Sequence, residues 1–334
     1  MDLITQGALG AAFAQSSRTE TRHVIAAGAC GFLAGMAPDL DALIRSGEDP
    51  LIFLEYHRHF THSLAFIPVG GLISALCLYG LAARRWQLTF WQVFLFCTLG
   101  YATHGLLDAA TSYGTSLLWP FSQARMSWSL VSIVDPLFTL PLIAGVVLAL
   151  VERRPMFARL GLLWCAVYLT TAFVQHRAAL EVATALAAER GHTPFPVQAK
   201  PSFGNTLVWR TIYEFDGAFY IDAARVGVAP RVFVGTSLPK LVPERDLPWL
   251  RPGDQQARDI ERFRFFSLGL IAQSPDDPNR IVDIRYSFVP NEVRALWSID
   301  VSPNAPDDAH VVYRTHREDA RENLATLWRM IVGD

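Results

Sequence analysis

His57-Arg58-His59-Phe60-Thr61-His62-Ser63 runs directly into an apolar stretch that opens at Leu64. Three imidazoles and a guanidinium at the mouth of a hydrophobic helix are costly to place there without a use. Neutral imidazole is a common ligand for zinc and related ions. His57 and His62 can face one centre if the chain turns between them. The plain alternative is a basic loop resting on lipid headgroups.

Working outward, the chain of 334 residues is 51% hydrophobic and only 18% charged, with a formal net charge of -2. That is the composition of a membrane protein carrying a soluble part. Near-neutral charge, with no block of Lys and Arg, excludes a nucleic-acid partner. Cys30, Cys77, Cys97 and Cys165 all fall inside apolar runs without a Cys-x-x-Cys pair, so they read as small hydrophobes. The first apolar stretch ends near Ala12-Phe13-Ala14, which looks like a cleavage site, but it opens on Asp2 and carries no positive charge. It is expected to stay in the mature protein.

Six apolar segments can be marked, at 3–15, 24–38, 63–83, 88–108, 130–151 and 157–175. A full span needs about 20 residues, so the last four are expected to cross a bilayer. The first two are short. Gly7, Gly10, Gly28, Gly31 and Gly35 would let them approach their neighbours closely as a packed hairpin. Arg18 and Arg22, Arg84 and Arg85, and Arg153, Arg154 and Arg159 fall on one face if the chain alternates sides. The positive-inside bias makes that face cytoplasmic. The loops 39–62 and 109–129 and everything after His176 are then outside.

Asp39, Asp41, His57, His59, His62, His104, Asp108 and Asp135 all land on the outer face. An ionisable residue at membrane depth is a functional hypothesis by default, because an unpaired charge there costs several kcal/mol. His104 and Asp108, four apart on one helix, can present both donors to one ion. Alone, such a pair is more often a plain hydrogen bond. With Pro38-Asp39-Leu40-Asp41 and the histidine cluster it forms a constellation. Imidazole and carboxylate without thiolate suit zinc or manganese, as one ion or two. Asp135 reads either as ligand or general base, or as a helix cap.

Four stretches, Pro38-Asp39-Leu40-Asp41, His57-Arg58 with Thr61-His62-Ser63, His104-Gly105-Leu106-Leu107-Asp108, and Thr111-Ser112-Tyr113-Gly114 running to Leu118-Trp119-Pro120-Phe121, carry a family resemblance. Together they resemble the YdjM/YbcI-type bacterial inner-membrane proteins, described as metal-dependent hydrolases and distantly similar to zinc-dependent phospholipase C and fungal zinc nucleases. The likeness covers about the first half of the chain. It implies metal ligation by Asp39, Asp41, His57, His62, His104 and Asp108. One departure stands out: where many such proteins begin Thr-His, this chain reads Thr5-Gln6-Gly7, and His59 is the nearest compensating imidazole.

After His176 the composition changes. Residues 179–190 read as a polar, alanine-rich helix continuing the last span, and Pro194, Pro196 and Pro201 as a linker. Asp216-Gly217 between alternating runs at 207–215 and 218–226 signals a hairpin. Residues 282–288 and 293–299 around Pro290-Asn291 suggest a second, 262–272 a further strand, and 318–332 an amphipathic helix.

The expected architecture is an all-α membrane bundle at 1–178, a helix and linker at 179–205, and a small α+β extracytoplasmic domain with an antiparallel sheet at 206–334. The expected function is metal-dependent phosphoester hydrolysis at the periplasmic face of the bacterial inner membrane. A lipid or lipid-linked molecule is the expected substrate. Arg58 would clamp a phosphate oxygen and Asp135 would direct water. The rival readings are a carrier or metal permease using the same residues, and a catalytically silent scaffold.

Overall fold

Asp2 caps the first helix, α1 (Leu3–Ser16), its carboxylate accepting from Thr5 N at 3.0 Å. The computed structural model describes residues 1–17, 20–193, 196–227, 229–316 and 320–333, and the side chains of all of these except those at 83 and 320. Arg18, Pro194 and Glu318, all used in the sequence reading, lie outside the described residues. A 3-10 turn (Thr21–His23) leads into α2 (Val24–Met36), and a 3-10 run (Ala37–Leu43) ends it with Pro38 in its first turn. Then follow α3 (Ile52–Tyr56), α4 (Ile67–Trp86), α5 (Phe90–Ala109), α6 (Pro136–Glu152) and α7 (Pro155–Glu189). Thr89 and Gln92 start α5 with a reciprocal capping box.

The expected glycine contacts form between the first two helices and α5. A Cβ on Gly31 would lie 2.5 Å from the carbonyl oxygen of Gly10. Backbone-to-backbone approach of this kind leaves no room for a side chain. Ala8, Ala11, Ala12, Leu107, Phe138, Leu142 and Ala158 continue the core beside it.

Contacts at the helix ends fix directions. Asp2 N donates to Ile133 O at 2.9 Å and Thr5 meets Thr139 at 2.6 Å, so α1 and α6 begin together. Arg159 Nε donates to Ser16 O at 3.2 Å, which puts the start of α7 at the far end of α1.

Among the described residues, three helical stretches are long and apolar enough to cross a membrane: Thr21–Leu43, Leu64–Ala82 and Pro155–Glu189. The first was expected to be too short, but its 3-10 turns extend α2 at both ends. Segment 88–108, expected to span, is not among the three. It forms α5, carries Gln92, Thr98, Thr103, His104 and Asp108, and buries much of its length against other helices. The segment at 130–151 gives the shorter apolar helix α6.

The chain divides into two units, 1–44 with 56–172, and 45–55 with 173–334. The sequence reading kept 45–55 with the bundle. In the structure Leu51 and Leu54 join the core of the second unit, and Arg262 pairs with Asp49 at 2.7 Å and with Glu55 at 2.5 Å.

The second unit holds two four-stranded antiparallel sheets rather than one. The first is β1 (Val197–Pro201), β2 (Val208–Phe215), β3 (Ala218–Arg225) and β4 (Arg231–Pro239), paired in sequence order. β1 therefore occupies the stretch read as a linker. Asp216 and Gly217, at φ 50° and 71°, form the expected turn between β2 and β3. The second sheet is β5 (Ile271–Gln273), β6 (Arg280–Asp283), β7 (Trp297–Asp300) and β8 (Val312–Thr315).

Two expectations fail here. The first part of 262–272 belongs to the end of a helix and only its last residues form strand, in β5: the short α8 (Pro243–Asp246) is followed by α9 (Gln255–Phe266), whose Ile260, Phe263 and Phe266 recur at helical spacing in the core. The strands expected to meet at Pro290-Asn291 do pair, as β6 and β7, but Arg280 opposes Asp300 and the strands stop early. Between them the carbonyls of Ile284, Pro290 and Glu292 accept from the guanidinium of Arg210, which replaces the strand ladder. The closing helix is α10 (Ala320–Val332).

Overpacking a tight contact costs about 1–3 kcal/mol. Gly31→Ala should therefore lower the thermal unfolding midpoint in detergent, while Gly80→Ala, where a Cβ meets nothing within 4 Å, should not lower it. Equal midpoints for the two variants would contradict the packing described.

Candidate metal centre

Three short pieces of chain meet at one end of the bundle. The 3-10 run after α2 carries Asp39 and Asp41, the 3-10 turn Phe60–His62 carries His62, and the last turns of α5 carry His104 and Asp108. The His62 turn lies so close on α5 that a Cβ on Gly105 would collide with His62 O. Tyr101 Oη donates to Thr61 O at 2.8 Å, Ser116 N to Arg58 O at 3.0 Å and Leu64 N to Leu117 O at 2.9 Å, pinning the 57–64 segment between α5 and the loop after it.

Asp39, His62, His104 and Asp108 bring one donor atom each into a single group that can hold a metal ion. His62 Nε2 is 3.4 Å from Asp39 Oδ1 and 3.3 Å from Asp108 Oδ2. His104 Nε2 is 3.3 Å and 3.6 Å from the same two oxygens. A tetrahedral ion with bonds of about 2.0–2.1 Å sets its ligands about 3.3–3.4 Å apart. Two of these atoms, His62 Nε2 and His104 Nε2, are buried and make no hydrogen bond. Buried orphans are rare, and an ion between them would explain both.

The other imidazole nitrogens are anchored. His104 Nδ1 faces Gly35 O at 2.6 Å, which fixes the tautomer with its lone pair on Nε2. His62 Nδ1 lies 3.1 Å from Asp41 Oδ2. Asp41 also meets His57 Nδ1 at 2.9 Å, Arg58 N at 3.1 Å and Thr61 Oγ1 at 2.7 Å. Its carboxylate is thus engaged in orienting two imidazoles. Asp39, Asp41 and His57 make a second group of metal-ligand type that shares Asp39 with the first.

Around Asp108 the positive partners are Arg58, whose Nε is 3.0 Å from Oδ2, and the α-ammonium of Met1. Gln6 Nε2, at the position where the resemblance leads one to expect histidine, donates to Asp108 Oδ1 at 2.8 Å. Arg58 adopts a left-handed φ of 62°, donates to Thr111 Oγ1 at 2.8 Å and stacks 4.8 Å over the Tyr113 ring. Burial disfavours charge on His62, but the surrounding carboxylates of Asp108, Asp39 and Asp41 outweigh it and push the imidazole up to about 10. So many carboxylates around one buried ring call for a cation, whether proton or metal.

The remaining site expectations fall elsewhere. Asp135 belongs to neither group: it caps α6 through Phe138 N at 3.3 Å and accepts from Tyr168 Oη at 2.8 Å. His59 packs against Trp119, with ring centres 5.9 Å apart, instead of joining the donors. Gly35 O, Thr61, Thr111 and Tyr113 were missed as supports. The last two stand in a motif stretch, but nothing in spacing alone assigns them to Arg58.

Loss of a donor should empty the site, whereas loss of an orienting carboxylate should weaken it by about 10–100-fold. By elemental analysis of purified protein, His62→Ala and His104→Ala should lose the bound metal, Asp41→Asn should hold it more weakly and Asp135→Asn should keep it. Equal metal content in all four would contradict this arrangement.

With the geometry in hand, the chain can be compared with known proteins. No solved structure matches it. Inner membrane protein YbcI of Escherichia coli (strain K12) is 32% identical over 108 residues, which is 31% of this chain and 60% of that protein. Residues 1–179, which include both groups of donors, match the family described as YdjM inner membrane protein, and the chain belongs to that family of inner membrane proteins.

Proposed function

We propose that this chain is an integral inner-membrane hydrolase that uses one zinc ion, held by Asp39, His62, His104 and Asp108, to cleave a phosphoester in a lipid or lipid-linked substrate at the periplasmic face. The observation that carries the reading is the set of donor separations of 3.3–3.6 Å among atoms that the surrounding hydrogen bonds leave pointing inward. Two nitrogens and two oxygens at tetrahedral spacing suit zinc better than ions that want six oxygens. Asp41 is engaged with His57 and His62, which favours one ion over two.

A divalent ion in such a site supplies Lewis acidity toward a phosphoryl oxygen and lowers the pKa of water. The protein's own share is positional. Asp41 and Gly35 O hold the two imidazoles, and Arg58 and Gln6 hold Asp108. His57, oriented by Asp41 and 17% exposed in its side chain, takes the proton-transfer role, because Asp135 is committed to capping α6. Arg58, bound to Asp108 and Thr111, positions a ligand instead of clamping substrate.

The substrate class follows from the rim. Leu40, between the two aspartates, is 64% exposed, Leu43 is 77% exposed and Phe121, on the loop after α5, is 89% exposed. Apolar side chains flanking a charged centre suit the headgroup level of a bilayer. Trp119, on the same loop, packs on His59 and Phe60. The donors gather at one end of the bundle, whereas a carrier holds its ionisable groups near the midplane.

Two outcomes follow. Incubated in lipid with labelled phospholipids and prenyl-phosphate lipids, metal-loaded protein should release phosphate or headgroup, and chelator or His104→Ala should reduce turnover at least a hundredfold. Cleavage of peptides or carboxylic esters alone would overturn the proposal. The arginines at Arg84, Arg85, Arg153, Arg154 and Arg159 support a reading with the second unit outside the cytoplasm. Reporter fusions after Arg85 and after Arg190 should accordingly give opposite answers, and a cytoplasmic signal from both would reverse the orientation.

A further inference from the structure

One buried cluster of the second unit holds more positive charge than the carboxylate beside it compensates. Lys200 on β1 stands opposite Arg210 on β2, so their side chains share a sheet face. Lys200, Arg210 and Arg285 are each 3% exposed, and Asp283 is 2% exposed. Asp283 is taken by Arg285 in a two-pronged pair, with Nη2 to Oδ2 at 2.7 Å and Nε to Oδ1 at 3.0 Å. Arg210 spends Nε and Nη1 on three carbonyls, and its Nη2 is buried without a hydrogen bond. Among the described residues Lys200 makes no hydrogen bond or ion pair, and the charges that act on it are Arg285, Asp283 and Arg210.

Burying an unpaired charge or donor costs several kcal/mol. Three cations around one carboxylate leave two positive charges and two sets of donors unanswered. Burial, followed by the neighbouring guanidiniums, pushes Lys200 down to about 7, and burial pushes Arg210 down to about 9. The same groups would be satisfied together by a dianion with several acceptor oxygens. We propose that Lys200, Arg210 and Arg285 bind a small tetrahedral oxyanion, inorganic phosphate, inside the second unit. Lys200 Nζ and Arg210 Nη2 donate to it, while the Arg285–Asp283 pair shapes the wall. Near-complete burial restricts the ligand to a free ion and rules out a headgroup carrying its lipid. The inference does not depend on the metal centre.

The chain contains only two lysines, Lys200 and Lys240, and Lys240 is paired with Glu214 at 2.9 Å. Full-length protein labelled with 13C at lysine Cε therefore gives two side-chain resonances, assigned with Lys240→Arg. Titration with inorganic phosphate should shift the Lys200 resonance saturably below millimolar concentration and leave Lys240 in place, with acetate inactive. Calorimetric phosphate binding should be lost in Lys200→Met and kept in His104→Ala. An unmoved Lys200 resonance, or equal phosphate binding by Lys200→Met and parent, would show a lysine that is merely packed and neutral, and would overturn the proposal. If Lys200→Met fails to fold, the resonance shift in the parent decides.

Discussion

Asp108 is a carboxylate buried to 1% exposure at the end of an apolar helix, and the structure around it is a response to that charge. Removing one partner from a buried ion pair costs about 3–5 kcal/mol, so such a group must be surrounded. Arg58, His62, His104, Gln6 and the α-ammonium of Met1 all converge on it. They come from three pieces of chain, so neutralising Asp108 fixes the relative positions of α1, α5 and the 57–63 segment at the same time. The left-handed backbone at Arg58 fits this view, since strain at one residue is tolerated where its side chain is tied down by several contacts.

The helix packing makes that convergence possible. Gly10, Gly31 and Gly100 bring three backbones into contact without side chains, which holds the ends of α1, α2 and α5 within reach of one another. Gly35 does double service, packing against α1 and offering its carbonyl to His104. The support of each imidazole is different in kind, a backbone carbonyl for His104 and a carboxylate for His62.

The residues of the candidate centre were legible in the sequence because they crowd into short stretches bordered by apolar runs, where an ionisable side chain has no cheap explanation. The division of labour among them was not. Asp39 and Asp41 stand two apart in one motif, and only the three-dimensional path of the 3-10 run turns one toward the donors and the other toward the outer nitrogens. Asp135 was equally ambiguous, and its capping of α6 emerges only with Tyr168 in place. In the second unit, alternation found β2 and β3, but it did not reveal that Arg210 is buried. β2 is buried on both faces along most of its length, so polar alternation no longer reports the outside. The same failure hid Lys200 and Arg285, which lie far apart in sequence and look ordinary singly. The helix at Gln255–Phe266 was misread because its arginines and phenylalanines alternate locally while its core contacts repeat at three.

The central claim is that two imidazoles and two carboxylates share one ion at the end of the bundle. X-ray absorption at the zinc edge of the purified, zinc-loaded protein tests it most directly. The account predicts four nitrogen and oxygen neighbours at about 2.0–2.1 Å, with the outer-shell scattering of two imidazole rings and no sulfur. A six-oxygen shell without imidazole scattering, or the same two-ring spectrum from His62→Ala as from the parent, would contradict it.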